Sequence, residues 1–241
     1  MEIEWLIKIA LLIGAYLLGA VPFGLLLGRV AGVDVRREGS GNIGATNVGR
    51  LLGKKLGLLT LAADMLKGVL PMLLAGWLLV DGDQRSLLVL ACGAAAFIGH
   101  IFPIYLGFKG GKGVATALGV FLYLAPLAAL GAMAVFALVL LNWGYVSLAS
   151  LSAAFFIPGL IWLFYGTGLW GTGLGGTRQG AESAPGGGAT EIEGLLNSAW
   201  SAAGPECLLA LVVAALIWWK HRDNISRLLQ GKEKSWHRPE R

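Results

Sequence analysis

The sequence predicts an all-α polytopic membrane protein with about seven transmembrane helices, two of them short. Of its 241 residues, 56% are hydrophobic and only 14% are charged, whereas a typical soluble domain has about 25% charged residues. Apolar runs of roughly 17–25 residues can span a bilayer as helices. Such runs recur along the whole chain, at residues 4–30, 56–80, 86–106, 114–141, 145–165 and 207–219.

Two of these runs need interpretation. The first begins with Glu2 and Glu4 and is too long for the apolar core of a signal peptide, so we expect it to be retained as a membrane helix. The fourth contains Pro126, which removes a helical hydrogen bond and collides with the preceding turn. We therefore predict two shorter helices, at 114–124 and 126–141, which bring the count to seven. Six helices is the alternative.

The basic residues predict the orientation of the chain. Of 19 Lys and Arg residues, six lie between positions 29 and 55, two at 109–112 and seven from 220 onward. With seven helices and the N-terminus outside, all three regions share one side. Cytoplasmic loops carry an excess of Lys and Arg, so we expect that side, with the C-terminus, to be cytoplasmic. A net charge of +5 on a membrane protein gives no reason to expect nucleic-acid binding.

Composition along the chain predicts a single membrane domain over residues 1–241. The stretch 166–205 is dominated by Gly, Ser, Thr and Ala, which predicts a flexible non-cytoplasmic loop, with a short helix as one option at 191–202. Cys92 and Cys207 lie in apolar segments. Small buried side chains are a better interpretation of these cysteines than a disulfide or a metal site.

The first of three polar clusters covers residues 39–50. Four glycines and two asparagines within twelve residues indicate irregular backbone. Its polar groups suit a polyol phosphate, whereas a plain turn between helices would not need so many of them. Asn47 is also a candidate N-cap of the following helix. The candidate site residues are Ser40, Asn42, Asn47 and Arg50.

The second cluster covers residues 99–116. Its GGKG resembles part of the nucleotide-binding loop G-x-x-x-x-G-K-[ST], but Gly113 stands where that loop requires a hydroxyl, so ATP binding is not expected. What remains is a glycine nest leading into a helix N-terminus, an arrangement suited to anions. The candidate phosphate-binding residues are Lys109, Gly110, Gly111, Lys112, Gly113 and Thr116.

Four ionisable residues near this cluster allow more than one interpretation. His100 ends the preceding apolar run and is either a phosphate ligand or base, or an anchor for the loop. Lys109 is also compatible with a simple positive-inside role. Asp64 and Lys67, three residues apart inside the second apolar run, share a helical face and are expected to form an internal pair with a structural role.

The third cluster follows the last apolar run. A basic flank that contacts anionic lipid headgroups is one interpretation. Asn224 and Arg227 are three residues apart on one helical face, which makes a binding site an alternative. We expect the last helix to continue into this region and to be capped at Gly231. The candidate site residues are Lys220, His221, Asn224 and Arg227.

Taken in order, the segments GSGNIGATNVGR, GHIFPIYLGFKGGKGVAT and KHRDNISRL closely resemble the three motifs of the bacterial acyl-phosphate:glycerol-3-phosphate acyltransferases, the PlsY family. The resemblance extends from about residue 5 to about residue 233, and only the stretch 166–205 is longer than expected. It implies a seven-helix inner-membrane enzyme of phospholipid synthesis. The implied reaction transfers a fatty acyl group from acyl phosphate to the 1-hydroxyl of glycerol 3-phosphate, giving 1-acyl-glycerol 3-phosphate (lysophosphatidic acid) and phosphate.

The resemblance also assigns roles. Acyltransferases that use acyl-CoA or acyl-carrier protein commonly contain H-x-x-x-x-D, but the fifth residue after His100 is Tyr105. Ser40 or Asn42 would stabilise developing oxyanion charge. The hydroxyl proton would pass to His100 or, as we favour, to a phosphate oxygen of the donor. One phosphate would lie at Lys109, Lys112 and the glycine amides, and the other at Arg50, Asn224 and Arg227 with Lys220 or His221, or the reverse.

Two rival functions remain. A transporter of a phosphorylated solute would explain helices broken by proline and glycine loops, although the three clusters are expected on one face. A lipid-binding structural protein would explain the cations alone. For the acyltransferase we expect no cofactor and no metal. Its partners would be acyl phosphate, glycerol 3-phosphate and membrane lipid, and the sequence identifies no protein partner.

Overall fold

The computed structural model describes the backbone of residues 2–78, 83–166 and 191–236, and the side chains of residues 3–78, 87–165 and 203–236. Within these ranges the chain is helical and contains no β-strand. The α-helices are α1 (Glu2–Ala20), α2 (Phe23–Val30), α3 (Ala45–Leu52), α4 (Lys54–Leu78), α5 (Asp83–Ile101), α6 (Val114–Leu124), α7 (Pro126–Trp143), α8 (Val146–Ile161), α9 (Glu191–Lys220) and α10 (Arg222–Leu229).

The predicted all-α membrane architecture is confirmed. Six segments of the described part are long and apolar enough to cross a bilayer, and α6 adds a shorter apolar helix of 11 residues. Of the two helices predicted to be short, only α6 is. Helix α7 begins at Pro126, as predicted, but reaches Trp143, and its 18 residues are sufficient for a span. The orientation of the termini stays a prediction.

The first apolar run, expected as one element over 4–30, forms two helices. Helix α1 ends at Ala20 and the eight-residue α2 starts at Phe23. Pro22 causes the break, because proline has no backbone N–H and excludes its preceding residue, Val21, from helical geometry. The break leaves the carbonyl of Val21 outside a regular helix, a point that matters for the site.

Part of the loop predicted for 166–205 is helical in the structure. Helix α9 begins at Glu191 and runs through Pro205 to Lys220, so residues 191–205 are helical and the predicted short outer helix is continuous with the last membrane helix. Residues 167–190 of the predicted loop lie outside the described residues. Helix formers such as Glu, Leu and Ala dominate 191–203, which explains the extension.

The described helices belong to two compact units, residues 1–120 and 121–241. The single domain expected from composition stays a prediction. In the first unit, α1 packs along α5, and α4 packs against α1, α3 and α5. Glycines allow the helix backbones to approach closely, as membrane helices commonly require. Gly19 of α1 lies against Ala96 of α5, and Gly99 of α5 lies against Tyr16 of α1. Gly57 of α4 lies against Gly49 of α3.

In the second unit, α7 packs on α8, α8 packs on α9, and α10 contacts both α8 and α9. The tail that follows α10 contacts the turn between α7 and α8, where the amide of Trp236 donates a 2.6 Å hydrogen bond to the carbonyl of Gly144. Residue 144 lies in the turn between α7 and α8 and has a left-handed backbone, which glycine adopts without strain.

The contact between α1 and α5 predicts a stability effect. A Cβ atom added at Gly19 would clash with the backbone carbonyl of Ala96, and backbone cannot move aside as a flexible side chain can. We expect Gly19→Ala to lower the free energy of unfolding by about 1–3 kcal/mol. Gly14→Ala is the control, since no atom lies within 4 Å of its added Cβ. Thermal unfolding in detergent measures both, and equal melting temperatures would contradict the predicted packing.

Candidate functional site

The first polar cluster forms a loop between α2 and α3, which we call the serine loop (residues 33–44). It is seated on a small apolar core made by Leu25, Val35, Ile43 and Val48. At its start, Arg36 donates hydrogen bonds to both carboxylate oxygens of Asp34, at 2.9 and 2.7 Å. The guanidinium of Arg36 therefore holds the pKa of Asp34 well below its usual range.

Asn47 organises the serine loop. Its Oδ1 accepts a 2.8 Å hydrogen bond from the amide of Ser40, and its Nδ2 donates to the carbonyls of Val35, Glu38 and Asn42 at 2.9–3.2 Å. The side chain is 1% exposed. Four backbone groups from one loop thus converge on a single buried amide, which replaces the hydrogen bonds that regular secondary structure would supply.

These contacts change the interpretation of Asn47. It is not the N-cap of the helix, because Gly44 occupies that position and Asn47 lies within α3. Its amide is committed to backbone groups and is not directed at a ligand. Ser40 remains exposed at the loop surface, while the side chain of Asn42 accepts a 2.8 Å hydrogen bond from the amide of Gly44. Arg50 is exposed on α3.

The second polar cluster forms the glycine loop (residues 107–113) between α5 and α6. Gly107, Phe108 and Gly113 have positive φ angles of 57°, 63° and 82°. The amide of Gly111 donates a 3.2 Å hydrogen bond to the carbonyl of His100 at the end of α5. A Cβ at Gly110 would clash with that same carbonyl, so the loop needs glycine to lie this close to the helix end.

The ring of His100 lies against the backbone of the glycine loop at Gly111. It is 4% exposed, and a Cβ at Gly111 would clash with its Nε2 atom. On the other side of the ring, Nδ1 lies 3.8 Å from Oδ1 of Asp64. Of the two roles left open by the sequence, this geometry is that of the loop anchor. Lys109 is exposed and Lys112 is half-buried in the same loop.

The glycine loop leads directly into the N-terminus of α6. The first amides of a helix have no intrahelical acceptor, and they attract anions together with the helix dipole. Thr116, in the first turn, is completely buried, and its Oγ1 makes no hydrogen bond to any described residue. A buried hydroxyl without a partner is costly, so its presence beside a helix N-terminus and two lysines requires a reason.

The predicted internal pair of α4 is present. Lys67 Nζ lies 2.8 Å from Oδ1 of Asp64, and both residues are 2% exposed. Lys67 also donates a 2.9 Å hydrogen bond to the carbonyl of Val21. The pair therefore contacts the break between α1 and α2 on one side and His100 on the other.

The third polar cluster is organised around a carboxylate. Glu233, in the tail after α10, accepts hydrogen bonds from Ser147 Oγ at 2.8 Å, Asn224 Nδ2 at 2.6 Å and Arg227 Nε at 2.7 Å. We call these four residues the tail cluster. Asn224 and Arg227 do share a helical face, as predicted, but what they bind in the structure is Glu233.

The environment of Glu233 favours its ionised form. Burial opposes ionisation, but hydrogen bonds from Asn224, Ser147 and Arg227 and the charge of Arg227 outweigh it, so the pKa of Glu233 lies below its ordinary value. The side chain of Glu233 is 7% exposed and that of Arg227 is 40% exposed. The guanidinium can thus meet solvent with the nitrogens that Glu233 does not use.

His221 and Lys220 lie at the junction between α9 and α10. The helix predicted to continue is interrupted at His221, whose ring Nδ1 is 2.8 Å from the carbonyl of Ile217. His221 is 2% exposed. Lys220 Nζ and the guanidinium of Arg222 lie 5.4 and 5.3 Å from the ring centre of Trp219, an arrangement typical of a membrane interface.

The structure thus groups the predicted residues in two places. The serine loop, the glycine loop, His100 and the Asp64–Lys67 pair belong to the first unit, and the tail cluster belongs to the second. Sequence reasoning missed Ser147 and the role of Glu233. One sequence feature could have indicated this role of Glu233: a glycine at position 231 allows the chain to reverse after α10, and residue 233 then lies beside that helix. Among the described residues, no group of His, Cys, Asp and Glu could hold a metal.

Comparison with known proteins gives a consistent result. Residues 9–231 match the sequence profile of a family described as glycerol-3-phosphate acyltransferase. The chain is 48% identical to the glycerol-3-phosphate acyltransferase of Desulfotalea psychrophila over 222 residues, covering 92% of this chain and 94% of that protein. It is 45% identical to the protein of the same name in Geotalea daltonii over 226 residues, or 94% and 96% of the two chains.

A solved structure agrees in fold. The crystal structure of PlsY (YgiH), an integral membrane glycerol 3-phosphate acyltransferase, in its glycerol 3-phosphate form, superposes with a TM-score of 0.74 at 36% identity. The match covers 95% of this chain and 94% of that one. The lysophosphatidic acid form of PlsY superposes with a TM-score of 0.72.

The tail cluster predicts a pH dependence of stability. Because the folded state lowers the pKa of Glu233 from about 4.5, its stabilising contribution is fully present above that pH and is lost as the pH falls through the lower, folded value. We expect Glu233→Gln to be less stable than wild type at pH 6–7, with the difference shrinking below about pH 4.5. Melting temperatures measured across this range test it. Glu38→Gln, at an exposed position, is the control. A difference that does not depend on pH would contradict the assignment.

Proposed function

Because the chain belongs to the glycerol-3-phosphate acyltransferase family, we propose that it transfers a fatty acyl group from acyl phosphate to the 1-hydroxyl of glycerol 3-phosphate. The products are 1-acyl-glycerol 3-phosphate and inorganic phosphate, and the reaction serves phospholipid synthesis. The observation that carries the proposal is the match to this family over residues 9–231. The glycine loop, which leads into the N-terminus of α6, supports it. The Thr116 hydroxyl has no protein partner but is fully buried, so a phosphate oxygen would reach it only if the glycine loop moves on binding.

The identity of the donor follows from what the site offers. Acyl phosphate is already activated, so the leaving phosphate needs charge neutralisation more than it needs an acid. Lysines, backbone amides of a glycine nest and a helix dipole supply positive potential without a proton. The H-x-x-x-x-D motif of acyltransferases that use thioester donors is absent from the sequence. Both features favour acyl phosphate over acyl-CoA or acyl-carrier protein.

The reaction balances without a covalent enzyme intermediate. The 1-hydroxyl oxygen of glycerol 3-phosphate forms a bond to the acyl carbon, and the bond from that carbon to the phosphate oxygen breaks. The hydroxyl proton passes to an oxygen of the departing phosphate. His100 is a poor alternative base, because it is 4% exposed and its ring supports Gly111 on one side and faces Asp64 on the other.

The residues of the first unit take the following roles in this proposal. Lys109, Lys112 and the amides of Gly110 and Gly113 bind one phosphate, with Thr116 completing its hydrogen bonds. The amide of Gly111, expected from the sequence to join them, already donates to the carbonyl of His100. Ser40, exposed on the serine loop, and Asn42 would donate to the developing oxyanion or to the glycerol hydroxyls. Arg50 adds positive charge. Asn47 holds the serine loop in shape and is a positioning residue, not a phosphate ligand.

The tail cluster suits recognition of a second phosphate. Glu233 orients Asn224 and Arg227 through hydrogen bonds of 2.6 and 2.7 Å. Arg227 uses only Nε for this contact, and its terminal nitrogens make no hydrogen bond among the described residues. A guanidinium held rigidly at one edge presents its other donors to phosphate in a fixed geometry. Lys220 and His221 would contribute charge and shape from the end of α9.

We further propose that the enzyme resides in the bacterial inner membrane and that its polar loops face the cytoplasm, as the distribution of Lys and Arg favours. Transport of a phosphorylated solute is disfavoured, because the ionic residues within α4, Asp64 and Lys67, are paired with each other and 2% exposed.

The donor assignment is tested with purified protein in detergent. We expect lysophosphatidic acid and phosphate from glycerol 3-phosphate with acyl phosphate, and no product with acyl-CoA or acyl-carrier protein at equal acyl concentration. Product from a thioester donor alone would overturn the assignment of the donor while leaving the acyltransferase activity intact. Solute flux into vesicles without product would overturn the function itself.

The role of Thr116 is tested by Thr116→Val, which removes the hydroxyl and keeps the shape. Because this hydroxyl has no protein hydrogen bond to lose, we expect an unchanged or slightly higher melting temperature, with at least a tenfold loss in kcat/KM. Thr60→Val is the matched control: Thr60 is equally buried, but its hydroxyl donates to the carbonyl of Leu56 within α4. Wild-type kinetics for Thr116→Val would remove the residue from the site.

A further inference from the structure

An ion pair lies within the membrane-spanning helix α4, where charge is expensive. Lys67 and Asp64 are each 2% exposed, and their charged atoms are 2.8 Å apart. Replacing a buried ion pair by apolar side chains of similar volume is often neutral or stabilising, so stability alone is a weak reason for its presence. Ionisable groups inside membrane segments are by default functional candidates.

Lys67 is connected to the serine loop through a series of contacts. Lys67 donates to the carbonyl of Val21 at the break between α1 and α2, and its Nζ lies 5.8 Å from the ring centre of Phe23, the first residue of α2. The next residue, Gly24, lies so close to the carbonyl of Ile43 in the serine loop that a Cβ would clash there. The position of α2 therefore determines where the end of the serine loop lies.

Asp64 is connected to the glycine loop through His100. Oδ1 of Asp64, which binds Lys67, is also 3.8 Å from Nδ1 of His100. The opposite nitrogen of that ring lies directly beneath Gly111, whose amide donates to the His100 carbonyl. A shift of His100 would be transmitted to the glycine loop, because no side chain separates the ring from the loop backbone.

We propose that the Asp64–Lys67 pair is a positioning element for catalysis, which holds the serine loop through Val21 and α2 and the glycine loop through His100. Neither residue touches substrate. The inference rests on the proposed function, in that both loops bind the reactants. Misplacement of reacting groups by about 1 Å can reduce a rate by roughly 100-fold, so a pair remote from the reacting atoms can have a large kinetic effect.

The main variant is the double replacement Asp64→Asn/Lys67→Met, which keeps approximate shape and leaves no orphaned charge. We expect its melting temperature to stay within a few degrees of wild type, since no unpaired charge is buried. We expect KM for at least one phosphorylated substrate to rise fivefold or more and kcat to fall. Deuterium uptake by peptides covering residues 107–113 and 33–44 should increase, which reports loop order without any assay of activity.

A second variant separates the two arms. Asp64→Asn alone alters the group that faces His100, while its amide oxygen can still accept from Lys67, which keeps its hydrogen bond to Val21. Because Lys67 loses its carboxylate, we expect a lower melting temperature, and exchange is compared below it. We expect faster deuterium uptake in residues 107–113 and unchanged uptake in 33–44. The control is Lys8→Met, which removes the cation of another intrahelical pair of the same unit, Lys8–Glu4 at 2.7 Å. It should leave both KM values and both loops unchanged.

The alternative is a purely structural role. In that case the variants reduce the amount of folded protein, while the folded fraction keeps wild-type KM values and wild-type loop exchange, and the proposal is overturned. It is also overturned if the double variant matches wild type in every measurement. If the wild-type protein itself forms no product, the proposed function fails, and loop exchange still decides whether the pair holds the two loops.

Discussion

Irregular backbone next to a bilayer must find its hydrogen-bond partners inside the protein, because hydrocarbon offers none. The described part of the first unit meets this constraint with a few buried polar side chains. Asn47 satisfies four backbone groups of the serine loop, and Lys67 satisfies the carbonyl left at the Val21–Pro22 break. The carbonyl of His100 satisfies Gly111. Irregular loops rich in glycine can therefore hold one conformation, as binding of a small phosphorylated substrate requires.

Several cations of the described residues are held by a carboxylate of the protein itself. Arg36 is bound to Asp34, Lys67 to Asp64 and Arg227 to Glu233. In each case the carboxylate fixes the geometry of the cation. Lys109 and Arg50, by contrast, are exposed on the glycine loop and α3. A basic residue in a polar cluster can therefore be held by a carboxylate of the protein itself, and Arg227 combines that contact with a side chain that is 40% exposed.

Much of this architecture was predictable, for physical reasons. Membrane spans require long apolar runs, so seven helices could be recognised from composition, although α7 was expected to be short and is long enough to span. A proline correctly predicted the start of α7. A second proline, at position 22, interrupts the helix before α2, and that break was not predicted. The polar clusters stood out because glycine and charge are rare in such surroundings. The start of α9 at Glu191 was not predicted, because the helix-forming residues 191–203 directly follow a glycine-rich stretch and were assigned to the same loop.

By itself the sequence determined the class of protein and the positions of the polar loops, because hydropathy, glycine content and charge are local properties. Only the tertiary structure decided which polar residues face inward. Asn47, a candidate ligand or N-cap in the sequence, hydrogen-bonds to backbone groups of the serine loop, the ring of His100 lies against Gly111, and Glu233 accepts a hydrogen bond from Arg227. Some of these contacts are local, but no local pattern specifies those that join distant positions, such as Ser147 with Glu233, 86 positions apart, or Lys67 with Val21, 46 positions apart.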